Sequence, residues 1–186
     1  MQQQQQQNLI QNPAGSFHSL QNLNIGEMQI HQLNSGKSLI AFLGTTDPFF
    51  NFYFANFTFE DERFNCVEQC FVTKRLRQLQ LQGMADEVKR FIHKDDNQPN
   101  SARWPDSHPR ELKWYGAEGL ERADPYIRSK LTTSMERKSI ELMVEQKFRQ
   151  NEHLKTLLKA TNEMLIAEAC PDRRWGVGYK KHEKDT

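Results

Sequence analysis

The chain has 186 residues, 37% of them hydrophobic, with 25 Lys and Arg balanced against 24 Asp and Glu. That length and apolar content suit one domain with an ordinary core. A net charge of +1 argues against a dedicated nucleic-acid or membrane-surface binder, while leaving room for a local basic groove that holds phosphate.

In chain order, the first feature is the glutamine run Gln2 to Gln7. The Asn/Gln/Ser/Gly-rich character continues to about Lys37. So polar a stretch cannot bury enough apolar surface to offset its ordering entropy. Residues 1–37 are expected to form a disordered tail, with at most a transient helix or strand around Met28–Leu33. Order is expected from Ser38, where Ser-Leu-Ile-Ala-Phe-Leu (38–43) reads as a short buried strand closed by Gly44. Phe57-Thr58-Phe59 alternates, and Glu60-Asp61-Glu62 can turn the chain into Arg63-Phe64. A small hairpin is predicted there.

From Asn65 the apolar period becomes helical, through Val67, Phe71, Val72, Leu76 and Leu79. Asn65 followed three residues later by Glu68 is a capping-box pattern, and Gly83 is expected to end the helix. A shorter helix is predicted over Ala85–Ile92. Residues 93–109, with Pro99, Pro105 and Pro109, read as a long loop. Arg110–Leu120 reads as helix. Thr133 with Glu136 is a second capping-box candidate, opening a helix with Ile140, Met143, Val144 and Phe148 on one side. Asn151 is expected to cap a helix carrying Leu154, Leu157 and Leu158. Asn162 is expected to cap another, stopped by Pro171. Trp175-Gly-Val-Gly-Tyr179 and a charged tail over 181–186 close the chain. The expected class is α+β, mainly α-helical, with a few short strands near the start. The domain is expected to span 38–180.

The three cysteines, Cys66, Cys70 and Cys170, suit reduced thiols in an intracellular protein, cytoplasmic or nuclear. No His/Cys pair has zinc spacing, so no metal and no cofactor are expected. No apolar run approaches the ~18 residues needed to span a bilayer, and no secretory signal is read. Phosphate loops, dinucleotide fingerprints and Gly-x-Ser-x-Gly elbows are missing. Neither Cys66 nor Cys70 has a neighbouring histidine that would activate it as a nucleophile.

Four stretches taken together carry a family likeness. They are Phe50-Asn-Phe-Tyr-Phe-Ala-Asn-Phe57, then Phe64-Asn-Cys-Val-Glu-Gln-Cys-Phe71 with Lys74 after it, then Asp106-Ser-His-Pro-Arg-Glu-Leu-Lys-Trp-Tyr-Gly116, and finally Leu165-Ile-Ala-Glu-Ala-Cys-Pro-Asp-Arg-Arg-Trp-Gly-Val-Gly178. In this order they resemble the NADAR/YbiA-like family, and Lys147-Phe and Leu154-x-x-Leu-Leu158 fit the helices before the last stretch. The resemblance covers residues 38–180. It implies a compact YbiA-like domain. It also implies hydrolysis of an N-glycosidic bond between ribose and a base-like group, since family members act on riboflavin-pathway ribosyl intermediates or on ADP-ribosylated guanine. The chain departs from the family pattern at Phe50 (serine), Phe54 (proline) and Ala117 (arginine). A family tryptophan has Thr132 as its nearest counterpart.

Breaking a ribosyl C–N bond builds positive charge on the sugar. A carboxylate can stabilise that charge or take a proton from the attacking water. The resemblance puts Glu68, Asp172 and Glu168 in catalytic roles, and Asn51, Phe52, Lys74, Trp175, Gly176 and Gly178 in substrate binding. Lys74 would meet phosphate and Trp175 would stack on the base. Each has a plainer reading. Glu68 could be a capping partner, Lys74 a solvated cation, Glu168 an exposed helix end, Asp172 a turn former, Trp175 core, and the two glycines turn residues. The expected partner is a small ribosyl nucleotide or an ADP-ribosylated base. Two rival readings stand beside the enzyme: a catalytically impaired ADP-ribose-binding module of the same fold, and a structural protein that associates through its glutamine-rich tail.

Overall fold

A computed structural model describes residues 29–91, 107–123, 125–126, 133–170 and 176. The fold is α+β and mainly helical. The chain forms two compact units, one of residues 1–43 with 155–186, the other of residues 44–154. No described helix is long and apolar enough to cross a membrane.

In the first unit, β1 (Gln29–Gln32) pairs antiparallel with β2 (Ser38–Phe42). The turn between them closes through the Gly36 N–H on the Leu33 carbonyl, with Gly36 at φ 77. β2 also pairs in parallel with β5 (Leu165–Glu168), giving the sheet order β1-β2-β5. The central position of β2 explains its run of buried Leu39, Ile40 and Ala41. Two expectations change here. Ordered structure begins before Ser38, because the polar residues of β1 need no core of their own: their backbone is satisfied by the edge of β2. The segment after Asn162 is a strand rather than a helix. Asn162 turns the chain at φ 48, and Leu165–Glu168 is drawn into the ladder opposite Leu39–Phe42. Local propensity yields there to tertiary pairing.

In the second unit, β3 (Phe57–Phe59) and β4 (Glu62–Phe64) form the predicted hairpin. Glu60 and Asp61 both have positive φ, 48 and 63, as a two-residue turn that follows the strand twist requires. Helix α1 (Val67–Gln78) follows, then α2 (Gln82–Arg90), α3 (Ser107–Gly116), α4 (Glu118–Ala123) and α5 (Thr133–Gln150). The chain passes into the first unit within α6 (Glu152–Ala160). The core of the second unit centres on Phe64, Val67, Cys70, Val72 and Leu76, with Val88, Leu112 and Met143 packed around them.

The ends of α1 differ from the sequence reading. Its N-cap is Cys66, whose Sγ accepts the Gln69 N–H. Gln69, and not Glu68, reaches back with its Oε1 to the Asn65 N–H at 2.9 Å. The Gln69 amide also donates to the Val88 carbonyl at 3.0 Å, tying the start of α1 to the end of α2. The helix closes at Gln80, not Gly83. Gln80 takes φ 61, and the Leu81 N–H returns to the Leu76 carbonyl while the Gln80 N–H returns to Arg77, a Schellman arrangement. Gly83 lies inside α2. The helix expected over Arg110–Leu120 begins earlier, since Pro109 stands in the first turn where no N–H partner is needed. It breaks at Ala117, where Gly116 packs on α1 and the Trp114 ring lies against Gly119, so close that a Cβ there would sit 2.8 Å from it. Most of the loop expected over 93–109, namely residues 93–106, lies outside the described residues, as does residue 92.

Because Gln80 is exposed and holds a conformation that glycine adopts without strain, Gln80→Gly is expected to raise stability by about 0.5–1 kcal/mol. Urea denaturation checks this, and an unchanged or lowered midpoint would contradict it.

Candidate functional site

The residues that the sequence singled out fall into distinct places. Asn51 and Glu68 meet: the Glu68 N–H donates to the Asn51 carbonyl at 3.1 Å. Phe52 packs on the edge of the core, and its ring lies 5.3 Å from that of Phe50. Glu68 is the second residue of α1, where the amino-terminal end of the helix dipole favours a carboxylate. The capping role that competed for Glu68 is filled by Cys66 and Gln69. Gly116 lies against the Glu68 side chain. A Cβ on Gly116 would come within 3.1 Å of Val72 Cγ2, a crowded contact, and within 3.7 Å of Glu68 Oε1, an ordinary one, so the tight packing here is of Gly116 on Val72.

Arg75 holds that packing in place. It lies seven residues after Glu68 and so on the same face of α1. Its guanidinium donates to the Gly116 carbonyl at 2.9 Å and pairs with Glu136 of α5 at 2.8 Å. Glu136, expected as a capping partner, is thereby a buried brace between helices, 6% exposed.

Lys74 lies elsewhere. Six residues along a helix turn a side chain through about 240°, and Lys74 reaches the hairpin. It pairs there with Glu60 at 2.8 Å and Glu62 at 3.0 Å. Arg77 binds the same Glu62, and Lys89 stands 3.7 Å from it. The hydrogen bond from Arg77, with help from Lys74, holds the Glu62 carboxyl down to about 2.

Glu168 and Gly176 belong to the first unit. Glu168 is a half-buried strand residue opposite Phe42, not the helix end expected for it. Asp172, Trp175 and Gly178 lie outside the described residues. Cys66 and Cys70 are fully buried. Burial pushes the Cys66 thiol up to about 12 and the Cys70 thiol higher still, which leaves both as poor nucleophiles. Among the described residues no group of three or more His, Cys, Asp or Glu is arranged to hold a metal.

The sequence reading passed over Lys147 as a site residue. Only 1% exposed, it donates to the Pro48 carbonyl at 2.7 Å and the Phe50 carbonyl at 2.9 Å. Its ammonium stands 5.3 Å from the Tyr53 ring centre and 5.2 Å from that of Phe148. The next residue, Phe148, stacks on Phe49 at 5.7 Å. Further along, the Gln150 amide accepts from the Thr58 N–H and donates to the Thr58 carbonyl, both at 2.8 Å. Asn151, expected as a helix cap, directly precedes α6 and donates through its Nδ2 to the carbonyls of Asn56 and Lys147. The last turn of α5 thus grips the chain from Pro48 to Thr58. The signal was present in the sequence: Lys147 falls three, four and seven residues after Val144, Met143 and Ile140, on the apolar stripe where a lysine needs a reason.

Burial lowers the Lys147 ammonium to about 7, with Cys66 and Asp47 acting in the opposite sense. In the unfolded chain a lysine titrates near ~10.4. Between these values the unfolded state holds a proton that the folded state has shed, so the contribution of Lys147 to stability rises with pH across that window. The difference in unfolding free energy between wild type and Lys147→Met is therefore expected to grow in favour of wild type from pH 7 to 9. A difference that stays flat in urea melts over that range would contradict the assignment.

The described geometry is that of a loop and a helix start held face to face, carrying an acidic group beside a glycine. Residues 41–186 match the model of the NADAR domain family, and no curated protein and no solved structure matches the chain. The match takes in the aromatic loop, the Glu68 helix, Gly116 and the Lys147–Phe148 pair, and on its extent this chain belongs to the NADAR domain family.

Proposed function

We propose that the chain is an N-glycosidase that hydrolyses the C–N bond between ribose, as a ribose phosphate or ADP-ribose, and a base-like group. The observation that carries this reading is the junction of Asn51 with Glu68, with the Glu68 side chain lying against Gly116. Membership of the NADAR family is consistent with it.

In the proposed reaction the glycosidic bond breaks with both electrons leaving on the base nitrogen, and the sugar gains oxocarbenium character. Glu68 stabilises that charge and takes a proton from the water that attacks the anomeric carbon. The water oxygen ends on the sugar, and the departing nitrogen gains a proton. Asn51 and Phe52 contribute the wall on the loop side. Asp172 and Glu168 are assigned further acidic roles, Trp175 the base platform, and Gly176 and Gly178 the backbone turns, all on the family resemblance. Lys74 is left out of the phosphate site, because its ammonium is engaged by Glu60 and Glu62 at the hairpin.

Purified full-length chain, incubated with an ADP-ribosylated guanine oligonucleotide and separately with a phosphoribosyl riboflavin intermediate, is expected to release ADP-ribose or ribose phosphate. Glu68→Gln is expected to lower kcat by roughly 10²-fold or more. No turnover of either substrate would overturn the proposal. Calorimetric binding of ADP-ribose without turnover would point instead to the binding module.

A further inference from the structure

We infer that Lys147 is a positioning residue for the Asn51–Glu68 junction, acting through the Pro48 and Phe50 carbonyls. This rests on the glycosidase reading only where turnover is concerned.

The loop from Gly44 to Tyr53 has no strand or helix to fix it. Its internal bonds are successive turns: the Asp47 N–H on Gly44, the Phe50 N–H on Asp47, and the Tyr53 N–H on Phe50. Turns of this kind set local curvature but not where the loop lies. Among the described residues, three of its carbonyls take tertiary hydrogen bonds. Lys147 binds those of Pro48 and Phe50, and the one after Phe50, that of Asn51, receives the Glu68 N–H. Fixing the first two carbonyls leaves one soft bond pair before the third, so the lysine determines where the Asn51 carbonyl meets α1.

A space-filling role accounts poorly for a lysine at this point. Burying an ammonium is costly, and a leucine or methionine would fill the same volume at less expense. What lysine adds is two directed hydrogen bonds to consecutive alternate carbonyls. Phe148 pins the residue between those carbonyls by stacking on Phe49, so position and orientation of the loop are both specified from one helical turn. Buried as it is, Lys147 reaches the Asn51–Glu68 junction by hydrogen bonds through this loop.

Residue-resolved amide hydrogen exchange on the full chain tests this. In Lys147→Met the Glu68 amide is expected to exchange roughly tenfold faster, while amides inside α1, from Val72 to Leu76, keep wild-type rates. Lys147→Arg, which retains charge and donors, is expected to restore part of the Glu68 protection. If wild type turns over substrate, Lys147→Met should lose kcat while KM changes less. Should wild type show no turnover, the glycosidase reading fails and the exchange data still decide the positioning role. Uniform acceleration along the whole of α1, or an unchanged Glu68 amide, would overturn the inference. Wild type gives a second measurement if the methionine variant does not fold: at a pH well below 7, where Lys147 is protonated, its ammonium protons are expected to exchange far more slowly than those of surface lysines, and exchange at the surface rate would overturn the inference equally.

Discussion

A buried lysine amine bound to two carbonyls is the constraint on which the second unit is arranged. Lys147 cannot move without leaving a buried polar group without its acceptors, and the carbonyls of Pro48 and Phe50 cannot move without losing their donor. The aromatic loop is therefore tethered to the helix that carries the lysine. From that anchor the rest follows in order along the chain. Phe49 stacks on Phe148, Asn51 meets the start of α1, and Asn56 and Thr58 are taken up by Asn151 and Gln150. A loop without strand or helix is in this way tied at several points to the end of α5 and the start of α1.

Helix α1 shows how one amphipathic element can serve two ends. Its Glu68–Val72–Arg75 stripe faces Gly116 and, through Arg75, Glu136. Its Cys70–Lys74–Arg77 side faces the hairpin and α2, where Glu62 gathers three cations. Residues in between, Val67, Phe71 and Leu76, belong to the core. This division explains why two residues carried over from the same motif, Glu68 and Lys74, end in different surroundings. Their sequence spacing is short, but their helical angle is wide.

Elements with strong local signals could be read directly from the residues. The hairpin around Glu60 and Asp61, the strand at Ser38–Phe42 and the helices bearing Phe71 and Met143 are cases where period and turn chemistry agree with the fold. The failures share a cause. β1 is polar and β5 is short, so both owe their form to a partner distant in sequence. The cap at Cys66 was missed because thiol is a weak acceptor and Asn65 the better prior. At the site, Glu68 and Asn51 were legible through the family motif, whereas their contact was not, since it is a backbone hydrogen bond. Arg75 and Gly116 act through packing between helices far apart in the chain. Lys147 was legible in retrospect, as a charge on an apolar stripe.

Glu68 thus has a fixed backbone, a glycine beside its side chain and a helix end that favours its charge. These are the properties expected of a carboxylate that must face a developing positive centre on a sugar. The most direct test is a crystal structure of the full chain with ADP-ribose bound. The account predicts the anomeric carbon of the terminal ribose beside the Glu68 carboxylate, with Asn51 and Phe52 against the sugar or its substituent. A ligand seated away from α1, touching neither Glu68 nor the Pro48–Tyr53 loop, would contradict it.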